Sequence, residues 1–282
     1  MTFVQAIWLA VLQGVSELFP VSSLGHTVIV PRLVGWNLDQ ESPTFLPFLV
    51  MLHLGTATAL LCFFWRDWWQ LITAWVRSVI RGRMSDDPDE HLAWMVIVGT
   101  IPTGVIGLFL QTPLKHLFAS PVIAAAFLVV NGIVMLFGEW LRRRQLNMGD
   151  TAAGKGVESL TWRSAATIGL AQSSALIPGI SRSGSTIVAG LLTQLSHEAA
   201  ARFSFLLATP IILAAGLLEV PKLLGPSGQS MLGVSVVGGV VAGVTAFFSV
   251  KFLMRYFEFG RLDPFAYYCI AFGVLALVLL TR

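Results

Sequence analysis

Two polar segments of this 282-residue chain carry the residue types that phosphate chemistry requires. In the later one, Pro178-Gly179 is expected to end one helix and Ser181 to cap the next. Backbone amides at a helix start, the forked guanidinium of Arg182 and several hydroxyls are donors suited to phosphate. Structural pairing of Arg182 with Glu17 is the alternative, but it does not account for so many donors. We therefore predict an anion site whose substrate-binding residues are Ser181, Ser183, Gly184, Ser185 and Thr186.

The earlier segment, from Gln13 to His26, supplies complementary groups. Gln13 and Glu17 are four residues apart, so they share a helix face, and their oxygens are candidate ligands for a divalent cation. Ser22 and Ser23 precede His26 by four and three residues, so a helical turn should bring either hydroxyl near the imidazole. Such a pair beside a carboxylate indicates an activated nucleophile or a proton shuttle.

Composition places both segments in an integral membrane protein. The chain is 55% hydrophobic and 12% charged, against roughly 25% charged in ordinary soluble domains, and its mean hydropathy is +0.77. This leaves too little polar surface to coat a water-soluble globule, which excludes a soluble nuclease, a cytosolic dehydrogenase and a disordered scaffold. The net charge of only +3 gives no indication of nucleic-acid binding.

Six apolar segments approach the roughly 20 residues that a bilayer span requires. They cover 47–65, 92–111, 119–140, 200–219, 232–254 and 264–281. Two further apolar regions, 3–35 and 163–195, are interrupted by proline and polar residues. The arm from Ser183 to Leu195 reaches only about 20 Å, too short to cross, so each region is predicted to form a re-entrant helix–loop–helix hairpin. The predicted fold is an all-α membrane protein with six transmembrane helices and two re-entrant hairpins.

The basic residues predict how the chain is oriented. Most of the 18 lysines and arginines fall on the side of the 66–91 loop, which is therefore expected to be cytoplasmic. Residues Trp65–Ile80 are predicted to form an interfacial amphipathic helix. The two hairpins then open to opposite faces, each followed by three spans, which is an inverted repeat. We predict one membrane domain over 1–282, with repeats at 1–140 and 160–282.

Other ionisable residues are less informative. His53 fits either a position facing the predicted cavity or one in the core. Glu139 lies at a span end and residues 86–90 form an acidic run, and solvation explains both.

At its two polar loops the chain resembles the undecaprenyl-diphosphate phosphatase family, integral-membrane enzymes associated with bacitracin resistance. The family elements E/Q-x-x-x-E, P-x-S-S-x-G-H and P-G-x-S-R-S-G-x-T stand here as Gln13–Glu17, Pro20–His26 and Pro178–Thr186. The resemblance implies hydrolysis of undecaprenyl diphosphate to the monophosphate, which recycles the lipid carrier for peptidoglycan and other wall polymers. It also implies the bacterial inner membrane, with the site accessible from the outer face.

The resemblance further implies a requirement for Mg²⁺ or Ca²⁺, and Gln13 and Ser22 as additional substrate contacts. Many family members carry Glu where this chain has Gln13, so Glu17 is the only carboxylate of that pair. The attacking group stays open between a serine, a histidine and water. The positions expected to be catalytic are Glu17, Ser23, His26 and Arg182.

A polyprenyl-phosphate flippase is the alternative function, because inverted repeats with broken helices also serve transport. A flippase needs the anion site but not a serine–histidine pair, which favours the enzyme. The expected partners are a polyprenyl diphosphate, membrane lipids and a second copy of the chain in a homodimer, with no nucleic acid.

Overall fold

The computed structural model describes residues 1–36, 38, 42, 44–118, 120–147, 154–225 and 229–282, with the backbone alone for 111–118 and 230. These residues form eleven α-helices and no strand. In chain order the helices are α1 (Phe3–Ser16), α2 (Ser23–Leu33), α3 (Phe45–Phe63), α4 (Trp65–Arg81), α5 (Pro88–Phe118), α6 (Pro121–Asn147), α7 (Trp162–Gln172), α8 (Arg182–Leu192), α9 (His197–Glu219), α10 (Gln229–Phe257) and α11 (Asp263–Leu280).

Six of these helices contain stretches long and apolar enough to cross a membrane: α3, α5, α6, α9, α10 and α11. They coincide with the six predicted spans, so the prediction of an all-helical, multi-pass membrane protein is confirmed for the described part of the chain. The helix bounds differ most at the predicted span 92–111, whose helix α5 runs from Pro88 to Phe118. They also differ at the predicted span 119–140, whose first residue lies outside the described residues. Its helix, α6, continues to Asn147, since the arginines that follow residue 140 are good helix formers.

The two interrupted regions form pairs of short helices. Of these, α1 has 14 residues and α2, α7 and α8 have 11 each, or about 16 to 21 Å of helix, less than a bilayer core of roughly 30 Å. Ser22 takes a positive φ of 66° at the first break, and Gly179 takes a φ of 98° at the second. Pro20 lies two residues before Ser22 and Pro178 lies directly before Gly179, and proline cannot donate a helical hydrogen bond. The breaks therefore follow directly from the local sequence.

The segment between the first two spans folds as the helix α4, as the sequence predicts. It buries Leu71, Ala74 and Ser78, and it exposes large apolar side chains such as Trp69 and Ile80. The amphipathic helix is thus present, and its position at the membrane surface stays a prediction.

Small residues let the long helices hold the broken pairs closely. Helix α1 packs on α10, α7 packs on α5, and α6 contacts both α2 and α8. A Cβ atom at Gly14 would collide with the Ala242 carbonyl of α10, and one at Gly169 would collide with the Gly99 carbonyl of α5. Such contacts are typical of membrane helix packing, where small residues permit close backbone approach. The loops that follow α1 and precede α8 are therefore placed together in the interior.

Two carboxylates expected in solvent are buried instead. Glu139 is 1% exposed, and its Oε1 lies 2.6 Å from His197 Nε2 and accepts a 2.8 Å hydrogen bond from the Leu262 amide. Glu90 is also buried and accepts a 2.9 Å hydrogen bond from Arg81. The expectation of solvation was wrong because these helix ends pack against neighbouring elements, where paired charges join one element to the next.

Candidate active site

The two polar loops meet in the interior through direct contacts. Nε and Nη2 of Arg182 each lie 3.4 Å from Glu17 Oε1, and Ser183 Oγ donates to the Phe19 carbonyl at 3.1 Å. A Cβ atom placed at Gly184 would lie 3.4 Å from the Pro20 carbonyl oxygen, which is van der Waals contact between the two loops. The anion-binding loop and the Glu17 loop therefore form one site.

Asn131, which the sequence reasoning did not single out, connects the two loops. Its Nδ2 donates to the Pro20 carbonyl at 3.1 Å, and its Oδ1 accepts from the Ser181 amide at 2.9 Å. The side chain is 2% exposed and belongs to α6. A lone amide within an apolar span is a detectable signal, since polar groups at membrane depth are costly and tend to be functional.

Glu17 is the centre of the site. Its Oε2 accepts from Ser23 Oγ at 2.5 Å and from Gln13 Nε2 at 3.0 Å, so the predicted pairing of Gln13 with Glu17 on one helix face is present. His53 Nε2 lies 3.2 Å from the same oxygen, while Arg182 contacts the other carboxylate oxygen, Oε1. The carboxylate is therefore held by donors on both oxygens and has a defined orientation.

His53 belongs to this centre rather than to the apolar core. Its Nδ1 lies 2.8 Å from the Leu49 carbonyl, one turn earlier in α3, and its Nε2 faces Glu17. Both ring nitrogens thus face acceptors, and the ring bridges the α3 backbone and the carboxylate. The sequence left two positions open for this residue because nothing local indicates which face of α3 meets the first loop.

His26 does not form the expected pair with a serine hydroxyl. Its ring nitrogens lie 2.8 Å from the Ser22 carbonyl and 2.8 Å from the Tyr268 hydroxyl, and the ring stacks on Phe272. The Ser22 hydroxyl accepts from the backbone at the start of α2, while Ser23 turns to Glu17. The expectation was wrong because spacing along α2 does not reveal that helix capping and the Glu17 carboxylate take both hydroxyls.

The start of α8 has the predicted cap. Ser181 Oγ accepts from the Gly184 amide at 3.1 Å. Within the described structure, the backbone amides of Arg182 and Ser183 have no hydrogen-bond partner. Unpaired amides at a helix start attract anions.

The remaining hydroxyls of the second loop bond to protein groups. Ser185 Oγ lies 2.9 Å from Ser174 Oγ, and Thr186 Oγ1 donates to Ser204 Oγ at 2.6 Å. The Arg182 guanidinium also donates to the Ser204 carbonyl at 3.1 Å. These contacts fix α8 against its neighbours.

A cavity of about 270 Å³ opens beside Glu17 and Arg182. Its lining combines polar side chains with aliphatic ones such as Leu176 and Ile211. The polar lining residues are Glu17, Ser22, Ser23, His53, Thr103, Gln172, Ser181 and Arg182. The predicted residues outside this lining are Gln13, His26, Ser183, Gly184, Ser185 and Thr186. The cavity suits an amphiphile whose charged end faces the two loops.

Few side-chain oxygens in the site could act as ligands for a cation. Glu17 is the one carboxylate in the described lining of the cavity, and the described residues contain no cluster of three or more His, Cys, Asp or Glu that could hold a metal ion. The Oε1 atom of Gln13 is buried without a hydrogen-bond partner. Because Mg²⁺ is commonly held by one or two carboxylates together with substrate phosphates, this donor set fits a cation that a bound phosphate helps to hold.

Comparisons with known proteins cover almost the whole chain. The sequence profile of the family described as "Bacitracin resistance protein BacA" matches residues 6–275. An undecaprenyl-diphosphatase from Acidiphilium cryptum (strain JF-5) is 51% identical over 285 residues, which cover 99% of both chains. One from Mycolicibacterium paratuberculosis (strain ATCC BAA-968 / K-10) is 48% identical, covering 99% of this chain and 97% of the relative. The "Undecaprenyl-diphosphatase 2" of Chromobacterium violaceum is 47% identical and covers 99% of both chains.

Proposed function

The chain belongs to the bacitracin resistance protein BacA family, and from that premise we propose that it hydrolyses undecaprenyl diphosphate to undecaprenyl phosphate and inorganic phosphate. The observation that carries the proposal is the contact of Arg182 with Glu17 beside a cavity lined by both polar and aliphatic side chains. The relatives reported above are named undecaprenyl-diphosphatase, and this chain is similar to them over nearly its full length. They give no support to the flippase alternative.

In this proposal, the diphosphate lies between the two loops and the polyprenyl chain extends into lipid. Arg182 and the unpaired amides at the start of α8 neutralise the charge of the transferring phosphoryl group, which is the main requirement of such reactions. Ser181 and Ser22 add polar groups at the cavity wall. Ser183, Gly184, Ser185 and Thr186 shape and support this wall through the contacts described above.

We assign the attack to Ser23. Its hydroxyl already donates to Glu17 Oε2 at 2.5 Å, so Glu17 can accept the proton as Oγ bonds to the terminal phosphorus and the bond to the undecaprenyl phosphate leaving group breaks. Water then cleaves the phosphoserine to inorganic phosphate, and Ser23 regains its proton. His26, held by Ser22 and Tyr268, positions the start of α2. Acid-quenched enzyme should carry phosphate on Ser23, whereas direct attack by water would leave none.

We also propose that the enzyme needs a divalent cation, Mg²⁺ or Ca²⁺. Glu17 and the unpaired Oε1 of Gln13 would hold it together with the diphosphate oxygens. When bound, such a cation neutralises phosphate charge.

We infer that α1–α2 and α7–α8 are re-entrant hairpins of an inverted repeat in the bacterial inner membrane, within one membrane domain, with the site open to the outer face. The packing supports this, since α1 packs on α10 as α7 packs on α5, and these partners are the second spans of the two repeats. Labelling single cysteines at Gly35 and Arg83, in a chain with Cys62 replaced by serine, tests it. Gly35 should react from outside and Arg83 only from inside. A homodimer stays a prediction, which crosslinking in membranes can test.

Phosphate release from undecaprenyl or farnesyl diphosphate by purified protein in detergent tests the proposed function. Wild type with Mg²⁺, Ca²⁺ or EDTA is compared with Glu17→Ala and Arg182→Ala, and the exposed Arg163→Ala is the matched control. Cation-dependent release that is lost in both site variants and kept in the control is the expected result. A well-folded wild type that releases no phosphate would contradict the proposal.

A further inference from the structure

A second, larger cavity lies next to the active site. This groove of about 520 Å³ is formed by α4, α5 and α9 and lined mostly by aliphatic and aromatic side chains, and we call it the α5–α9 groove. Its polar side chain Thr100 donates its hydroxyl to the Val96 carbonyl of its own helix. At its rim, Ile101 and Leu108 are more than half exposed, so the groove is open to the lipid around the protein.

The groove and the active-site cavity are separated by one layer of side chains. Ile211 of α9 lines both, with Pro210 on the groove side and Ile212 on the cavity side. On α5, Thr103 lines the cavity and the adjacent Gly104 lines the groove. Ile211, Thr103 and Gly104 therefore form the boundary between the cavity and the groove, which we call the seam.

Glycines keep this seam loosely filled. A Cβ atom placed at Gly104 would lie 4.0 Å from the nearest atom of Ile211, and one at Gly107 would lie 3.9 Å from Leu176, which lines the cavity. By contrast, most glycines that pack helices in this protein would collide with a neighbour, as at Gly14. Backbone atoms of neighbouring helices therefore do not fill the space beside these two glycines.

We propose that the α5–α9 groove binds the isoprene units that follow the first one in the polyprenyl chain, an inference that rests on the proposed function. A diphosphate held by Arg182 keeps its attached chain at the seam, and the chain must leave the polar site through apolar walls. Lipid tails are as apolar as the groove, so the groove alone does not select an isoprenoid. Attachment to the bound headgroup does, because it raises the local concentration of that one chain.

A second groove of similar size provides an internal control. It lies between α3 and α10, has a volume of about 500 Å³ and shares no described lining residue with the active-site cavity. Its rim residue Val240 is exposed much as Ile101 is. A tryptophan at either rim adds the same bulk to a lipid-facing surface, but only one of them would obstruct the proposed path.

The experiment measures KM for undecaprenyl diphosphate and for the five-carbon isopentenyl diphosphate in Gly104→Trp, Ile101→Trp and Val240→Trp. We expect KM for the long substrate to rise at least about tenfold in the first two variants, the factor that ~1.4 kcal/mol of lost binding produces. Hydrolysis of the short substrate should be unchanged, and Val240→Trp should match wild type on both. Ile101→Trp, at an exposed position, decides the test should Gly104→Trp not fold.

Four results would overturn the inference. Unchanged KM for the long substrate in Ile101→Trp would show that the chain does not use this groove, as would an equal rise in Val240→Trp. Equal losses on both substrates would place the effect at the headgroup site. A folded wild type that hydrolyses neither substrate would instead remove the proposed function itself, and the inference with it.

Discussion

Replacing His53 by leucine removes one hydrogen-bond donor from Glu17 and keeps a side chain of similar bulk in the cavity wall. In the wild type, Nε2 of His53 lies 3.2 Å from Glu17 Oε2. Leucine cannot donate, so this oxygen would keep only the donors from Gln13 and Ser23. The carboxylate that receives the Ser23 proton would then be held less firmly, and the reaction should slow without loss of the fold.

The size of the effect follows from the environment of the pair. Both side chains are shielded, with 23% of the His53 side chain and 5% of the Glu17 side chain exposed. A hydrogen bond to a charged group contributes about 1.5–3 kcal/mol, and each 1.36 kcal/mol of lost transition-state stabilisation is roughly tenfold in rate. We therefore expect His53→Leu to lower kcat about tenfold to a hundredfold. His53→Gln, which keeps an N–H donor, should fall between this variant and wild type.

The assay is phosphate release with kcat and KM determined separately, together with the thermal midpoint of each purified variant. His91→Leu, at a position outside the described lining of the cavity, is the matched control for loss of a histidine. A double-mutant cycle with Glu17→Gln tests the route of the effect, because contacting residues show coupling energies that distant ones lack. A wild-type kcat in His53→Leu would contradict this role of His53, as would an equal loss of kcat from His53→Leu in the Glu17→Gln background.

Three further predictions test other parts of the site. Arg182→Ala should lower the rate of phosphate release at least about a hundredfold, the scale of losing an oxyanion-stabilising donor, whereas Ser185→Ala should change it little because that hydroxyl bonds to another serine; similar losses would contradict the assigned roles. Asn131→Leu should lower the thermal midpoint, since it leaves the buried Ser181 amide unpaired at about 1–3 kcal/mol and leaves the Pro20 carbonyl only the weak Cys269 thiol donor, and an unchanged midpoint would contradict this. Gly179→Ala should destabilise more than Gly35→Ala: both have positive φ, but only at Gly179 would a Cβ collide with a neighbouring backbone, so equal midpoints in a thermal scan would count against that collision.

Patterns that depend on neighbours along the chain were predicted well. The six spans follow from the length and hydropathy of each segment, and the broken helices follow from Pro20 and Pro178 with the polar residues around them. The pairing of Gln13 with Glu17 was predicted because residues four apart on a helix face each other. The pairing of the Ser22 or Ser23 hydroxyl with His26 was predicted from similar helical spacings and was wrong, because helix capping takes the Ser22 hydroxyl and Glu17 takes that of Ser23.

Residues whose role comes from distant partners were missed or left open. Asn131 is 111 positions from the carbonyl to which it donates, and Tyr268 is 242 positions from His26. Glu139 was expected in solvent because it ends an apolar run, yet it binds groups at the starts of α9 and α11. No spacing rule within one helix can indicate such partners.

The sequence by itself determined that this is a membrane protein, where its helices lie and break, and the chemical character of both loops. It could do so because hydropathy, proline geometry and side-chain chemistry act locally. The tertiary structure alone decided that His53 and Asn131 belong to the site, that Ser23 donates its hydrogen bond to Glu17 rather than to His26, and that the cavity adjoins the α5–α9 groove. These outcomes depend on which helix faces pack together. That choice is made by small residues and paired polar groups on different helices at once, so it is a property of the folded chain.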